Sequence, residues 1–208
     1  MSEPQRSQIL DELTAYYQNK PTQSKSKLSQ AEKTECINML AYIALAKTDT
    51  TAAKQEVAKV IAQEQQLLTA GAAAKAALIR AHFVNVLTVL QQKRSESTLK
   101  TIEKELEWLV KHKPAQFGGR TKNDMLDWVY LSTYELLGQL YRARGDYMMA
   151  TAYFDSCLVL LNDTGLYRFK NDYIEKAYKL FKLSDYYISW GLPQCGLRPP
   201  DASLAVSP

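Results

Sequence analysis

Between Tyr134 and Asn162 the run YELLGQLYRARGDYMMATAYFDSCLVLLN sets small residues, large aromatics and a glycine turn at fixed intervals. Leu137, Gly138 and Tyr141 fall on one face of a helix, and Ala150, Phe154, Cys157 and Leu158 do the same on a second. Between them, Gly145 can end the first helix at positive φ and Asp146 can cap the next. Two amphipathic helices are therefore expected to fold back on each other. Gly138 and Ala150 lack bulk at the expected crossing, so the backbones can approach while Tyr141 and Phe154 fill the space beside them.

This register resembles the tetratricopeptide repeat, whose signature is W-x2-L-G-x2-Y, a Gly turn, A-x3-F, a small residue and a closing Pro. Tyr134 stands in the Trp position, Leu137 and Gly138 form the Leu-Gly pair, Cys157 is the small residue and Asn162 replaces the Pro. The match covers one repeat, residues 131–164. Weaker, degenerate hairpins are expected at about 34–70, with small residues at Ala41 and Ala53, and at about 72–114, closed by Pro114. They start at intervals longer than the family's period of 34 residues. The resemblance implies an all-α, right-handed superhelix of antiparallel helical hairpins, an α-solenoid ending in a capping helix.

The rest of the chain fits a helical protein. Most of its 8 Gly and 7 Pro gather in the connector from Pro114 to Gly119 and in the tail after Trp190. Capping boxes at Ser2-x-x-Gln5, Ser29-x-x-Glu32 and Thr121-x-x-Asp124 mark helix starts. A first helix carries Ile9, Leu10, Leu13, Tyr16 and Tyr17 up to Pro21, and a polar linker follows to Lys27. Further helices are expected from Ser29 to Thr48, Thr51 to Leu68, Ala72 to Lys93 and Thr98 to His112. Tyr173, Ala177, Tyr178, Phe181 and Ile188 give a capping helix at about 171–190, with Lys176, Lys179 and Lys182 turned to solvent. One domain over 1–190 and a disordered tail over 191–208 complete the expected organisation.

Chemistry is sparse. The three Cys are scattered and form no C-x-x-C pair, and no metal-ligand spacing, phosphate loop or nucleophile elbow is present. His82 reads as a partly buried helix residue, and His112 suits the negative end of a helix dipole. No enzyme, cofactor or metal is expected. The formal charge of +4 comes without a dense Lys/Arg block, which argues against nucleic acid. Without a signal peptide, and with Lys75, Arg80 and His82 breaking the most apolar stretch, the chain reads as soluble and cytoplasmic.

In the tetratricopeptide family the first helix of each repeat lines a concave groove. The resemblance places Ser132, Glu135, Gln139 and Arg142 there for the signature repeat. By the same offsets the middle hairpin contributes Val84, Leu87, Gln91 and Arg94, and the first Glu35, Asn38, Tyr42 and Leu45. In the clamp type that holds acidic chaperone tails, Lys and Asn occupy the middle two positions, where this chain has Glu135 and Gln139; an acidic C-terminal ligand is disfavoured. The expected ligand is a helix or extended segment of another protein. A surplus of aromatics, Tyr173, Tyr186, Tyr187 and Trp190, offers a second candidate partner surface at the C-terminal end. The implied role is a non-enzymatic scaffold or adaptor subunit. Alternatives are a chaperone-like carrier for a secreted or assembly-prone client, a helical regulatory domain sensing a peptide or binding nucleic acid, and a self-associating homo-oligomer.

Overall fold

The structure, a computed structural model, describes residues 3–23, 28–93, 95–114, 126–162 and 180. Among the described residues the regular elements are all α-helices, in two compact units, Met1–Pro114 and Ala115–Pro208. The expected capping helix apart from Leu180, the tail, Arg94 and the aromatic group Tyr173, Tyr186, Tyr187 and Trp190 lie outside them.

The first unit holds α1 (Glu3–Gln23), α2 (Gln30–Ala46), α3 (Thr50–Ile61), α4 (Glu64–Thr69), α5 (Ala72–Leu90) and α6 (Glu96–Lys111). Its hub is α5, which packs against α2, α3, α4 and α6. Ala74, Ala77 and Ala81 keep the backbone of α5 close to its neighbours, and Leu78, Ile79, Phe83, Val84 and Val86 fill the remaining space; all are buried. Val84 joins Ala41, Ala44, Leu45, Ala53 and Val57 in one cluster, while Leu78 and Ala81 meet Val60 and Leu67 in another. By length and composition α5 could cross a membrane, yet 61% of its apolar window is buried inside the protein.

Local signals set the helix starts. Ser29 caps α2 and exchanges hydrogen bonds with Glu32, whose carboxylate takes the Ser29 N–H at 2.8 Å and its hydroxyl at 2.7 Å. Those two bonds hold the Glu32 carboxyl below the usual carboxylate range. Ser95 caps α6 in a reciprocal arrangement with Thr98.

Three sequence expectations are corrected here. The helix expected over Thr51 to Leu68 breaks at Ala62 and Gln63 into α3 and α4. The Gln63 side chain donates to the Lys59 carbonyl at 3.0 Å and accepts from Gln30 Nε2 at 2.6 Å, satisfying groups at the break. Second, α1 continues through Pro21 to Gln23, although the proline lacks an N–H and its ring crowds the carbonyl four residues back; only two residues follow it before the helix ends. Third, the apolar stripe of α1 is only partly used. Leu10 and Tyr17 are half-buried, whereas Ile9, Leu13 and Tyr16 stay exposed. Docking of α1 on α2 relies on polar ties: Arg6 Nη2 to the Ala46 carbonyl at 3.2 Å, and Lys47 Nζ to Asp11 at 2.7 Å and Thr14 at 3.1 Å.

In the second unit α7 (Leu126–Ala143) and α8 (Tyr147–Asn162) pack as a hairpin. Tyr130, Leu131, Tyr134, Leu137 and Gly138 of α7 and Ala150, Phe154, Cys157 and Leu161 of α8 are buried. The Tyr153 ring stacks with Tyr134 at 6.3 Å and with Tyr141 at 5.5 Å between centroids.

Candidate functional site

The α7–α8 hairpin is built around one close approach. A Cβ on Gly138 would stand 2.6 Å from Phe154 Cε1 and 2.7 Å from its Cζ, so only glycine lets the ring lie flat against the α7 backbone. The turn follows a Schellman pattern. Gly145, at φ 81, gives its N–H to the Arg142 carbonyl at 3.0 Å, Asp146 N–H reaches the Tyr141 carbonyl at 3.0 Å, and the Asp146 carboxylate caps α8 through Met149 N–H at 3.1 Å.

The α2–α3 hairpin repeats that joint. Thr48, at φ 61, donates to the Leu45 carbonyl at 2.9 Å, Asp49 N–H to Ala44 at 2.9 Å, and the Asp49 carboxylate caps α3 through Ala52 N–H at 2.9 Å. Ala41, Ala53, Val57 and Val60 stand at the same sequence distances from Asp49 as Gly138, Ala150, Phe154 and Cys157 do from Asp146, and all eight are buried. Smaller Val57 in place of Phe154 goes with Ala41 in place of Gly138. The α5–α6 connection is longer and leaves Leu90 exposed at the offset of Gly138; Ile102, Leu106 and Leu109 are nevertheless buried where Ala150, Phe154 and Cys157 would stand.

The groove positions distribute unevenly. On α7, Ser132 and Glu135 are buried, and Gln139 and Arg142 are half-buried; Gln139 donates to Glu135 at 3.3 Å. Trp128, one helical turn before Ser132 on the same stripe, is 44% exposed. On α5, Val84 is core, Leu87 packs half-buried against it, and Gln91 is exposed at the C-cap. The first hairpin's positions turn toward α5: Glu35 pairs with Arg80, Asn38 Nδ2 donates to the Ala77 carbonyl at 2.8 Å, and Leu45 is buried. Burial pushes the Tyr42 hydroxyl up to about 12.

One gathering of polar and aromatic groups was not anticipated. The His82 ring stacks on Trp108 at 3.5 Å and the His112 ring stacks on Trp108 at 4.0 Å. The Trp108 and His112 spacing on α6 was readable as i, i+4, but the meeting with His82 on α5 was not. His82 is buried, which sharpens the expectation of partial burial. Among the described residues, no group of three or more His, Cys, Asp or Glu is placed to hold a metal ion.

Compared with known proteins, the chain matches no family model, no curated protein and no solved structure. Its own geometry carries the functional argument.

Proposed function

We propose that the chain is a non-enzymatic protein-interaction module of tetratricopeptide-like helical hairpins, serving as a scaffold or adaptor that holds a helix or extended segment of a partner protein. The observation that carries this reading is the shared joint: two hairpins with the same turn, the same capping aspartate and the same buried small-residue crossing. A hairpin repeated in one register is a unit that buries its apolar face by stacking and presents an outer helix face.

The face assigned to the partner is the α7 stripe of Trp128, Gln139 and Arg142. Trp and Arg are the residue types that most often dominate binding energy at interfaces. Ser132 and Glu135, buried on the same stripe, would support that face rather than meet the ligand directly.

The test is an affinity capture from native lysate comparing wild type with a Gln139→Ala, Arg142→Glu double variant whose helix content is unchanged by circular dichroism. Glu135 is left intact because it is buried. Partners captured by wild type and lost from the variant support the α7 face; partners retained equally by both refute it.

A further inference from the structure

Helix α1 runs for 21 residues without one buried side chain. Leu10, Thr14 and Tyr17 lie half-buried, and an adjoining side carries Ile9, Leu13 and Tyr16, all exposed. Their spacing of i, i+4 and i+7 makes them one strip, which Lys20 continues at i+11. Lys20 Nζ stands 5.6 Å from the centre of the Tyr16 ring, against the end of that strip. Helices in proteins take most of their stability from packing an apolar face, and a contiguous exposed apolar patch marks a contact surface. The polar ties to α2 fasten α1 from its other side and leave the strip open to water.

Charge along α1 restricts what can cover the strip. A bilayer surface is disfavoured, because α1 carries Glu3, Asp11 and Glu12 against Arg6 and Lys20, and helices that lie in a membrane interface are rich in Lys and Arg. Arg6 and Asp11 are engaged at α2, and Glu12 accepts from Gln8 Nε2 at 3.1 Å. The charges at the two ends of the helix are then Glu3 in the first turn and Lys20 in the last.

A second α1 laid antiparallel answers both ends at once. Ile9 then faces the partner's Tyr16, Leu13 sits beside the two-fold axis, and Glu3 comes within a turn of the partner's Lys20, twice by symmetry. A parallel pair would set Glu3 beside Glu3 and Lys20 beside Lys20, with the two helix dipoles aligned side by side.

We infer that the Ile9, Leu13 and Tyr16 strip of α1 is a self-association surface on which a second copy of this chain docks, α1 against α1 in antiparallel. Stable interfaces take about 20–30 residues a side. One helix face offers fewer, so the dimer is weak, with a dissociation constant of about 10–500 μM.

The test is sedimentation equilibrium of the whole chain from about 5 μM to about 1 mM. Wild type should pass from monomer toward dimer across that range. Leu13→Glu, at an exposed position where substitution costs the fold little, brings two carboxylates to the axis and should weaken association about ten-fold or more. Glu3→Lys and Lys20→Glu, each alone, set like charges together and should weaken it about three-fold or more. A one-to-one mixture of those two variants should recover wild-type association, because each copy then meets the opposite charge at both ends. Should Leu13→Glu lose helix by circular dichroism, the charge variants decide alone. The proposal is overturned by a chain that stays monomeric throughout, which would leave the strip to a different protein. Association undiminished in Leu13→Glu, charge variants that associate as wild type does, or a mixture no tighter than its components would overturn it equally.

Discussion

Gly138→Ala adds a single methyl group at the α7–α8 crossing, and its effect follows from the geometry there. The new Cβ would meet the Phe154 ring at 2.6, 2.7 and 2.9 Å, well inside the roughly 3.5–4.0 Å at which carbon atoms attract. Phe154 is fully buried, so the ring has no open space to retreat into. Overpacking of this kind costs about 1–3 kcal/mol, and contacts this short place it near the upper end. Replacing Gly by Ala inside a helix returns about 1 kcal/mol, leaving a net destabilisation of about 2 kcal/mol. The first hairpin suggests the remedy, since it accommodates Ala41 beside Val57 in one cluster. Gly138→Ala combined with Phe154→Val should therefore lose less than the two single variants summed, with a coupling of about 1–3 kcal/mol. Equilibrium urea unfolding followed by circular dichroism reads all four proteins. A Gly138→Ala variant as stable as wild type, or additive behaviour in the double variant, refutes the crossing as described.

The two turns predict opposite responses. Thr48 sits at φ 61, which L side chains adopt at a cost, so Thr48→Gly should stabilise by about 0.5–1 kcal/mol. Gly145→Thr should cost about 1–2 kcal/mol, a purely conformational effect because a Cβ there meets nothing within 4 Å; urea midpoints decide both. In alkali, Tyr42 is pushed up to about 12 by burial and Tyr130 is raised as well, while an unfolded phenol ionises near about 10. Stability should hold below about pH 10 and fall as pH rises toward 12. Ultraviolet titration should show part of the tyrosine ionisation coinciding with loss of helix, and ionisation of all tyrosines with the helices intact would contradict this. In acid the sign reverses: the Glu32 carboxyl is lowered, so its contribution to α2 is present above the ordinary carboxylate range and lost as pH falls through the lowered value. Glu32→Gln should flatten the pH dependence of amide exchange in the first turn of α2, and an unchanged profile would show that the capping box carries no such linkage.

The legible features were those fixed by neighbours in sequence. Gly138, Ala150 and Phe154 sit within one hairpin, so their spacing alone implied the crossing that the structure contains. Ser29 and Asp146 announced their helices because a cap bonds to N–H groups two or three residues on. Features set by distant partners were not legible. The break after Ile61 depends on Gln63 reaching Gln30, and the His82 stack on Trp108 depends on α5 and α6 meeting. Periodicity placed Ser132 and Glu135 on one stripe with Gln139 and Arg142, but which members of a stripe are covered depends on what packs over it. Thr48 hid the similarity between the two turns, since a β-branched residue is an unusual occupant of a position that glycine fills in the other.

The central claim, that the outer face of α7 holds a partner protein, is tested most directly by site-specific photo-crosslinking in cells. A photoreactive amino acid is placed in turn at Gln139 and Arg142 on that face and at Lys100 and Lys104 on the exposed side of α6. The account predicts the same crosslinked partner from both α7 positions and none from the α6 positions. Crosslinks to that partner from α6 with none from α7 would contradict it.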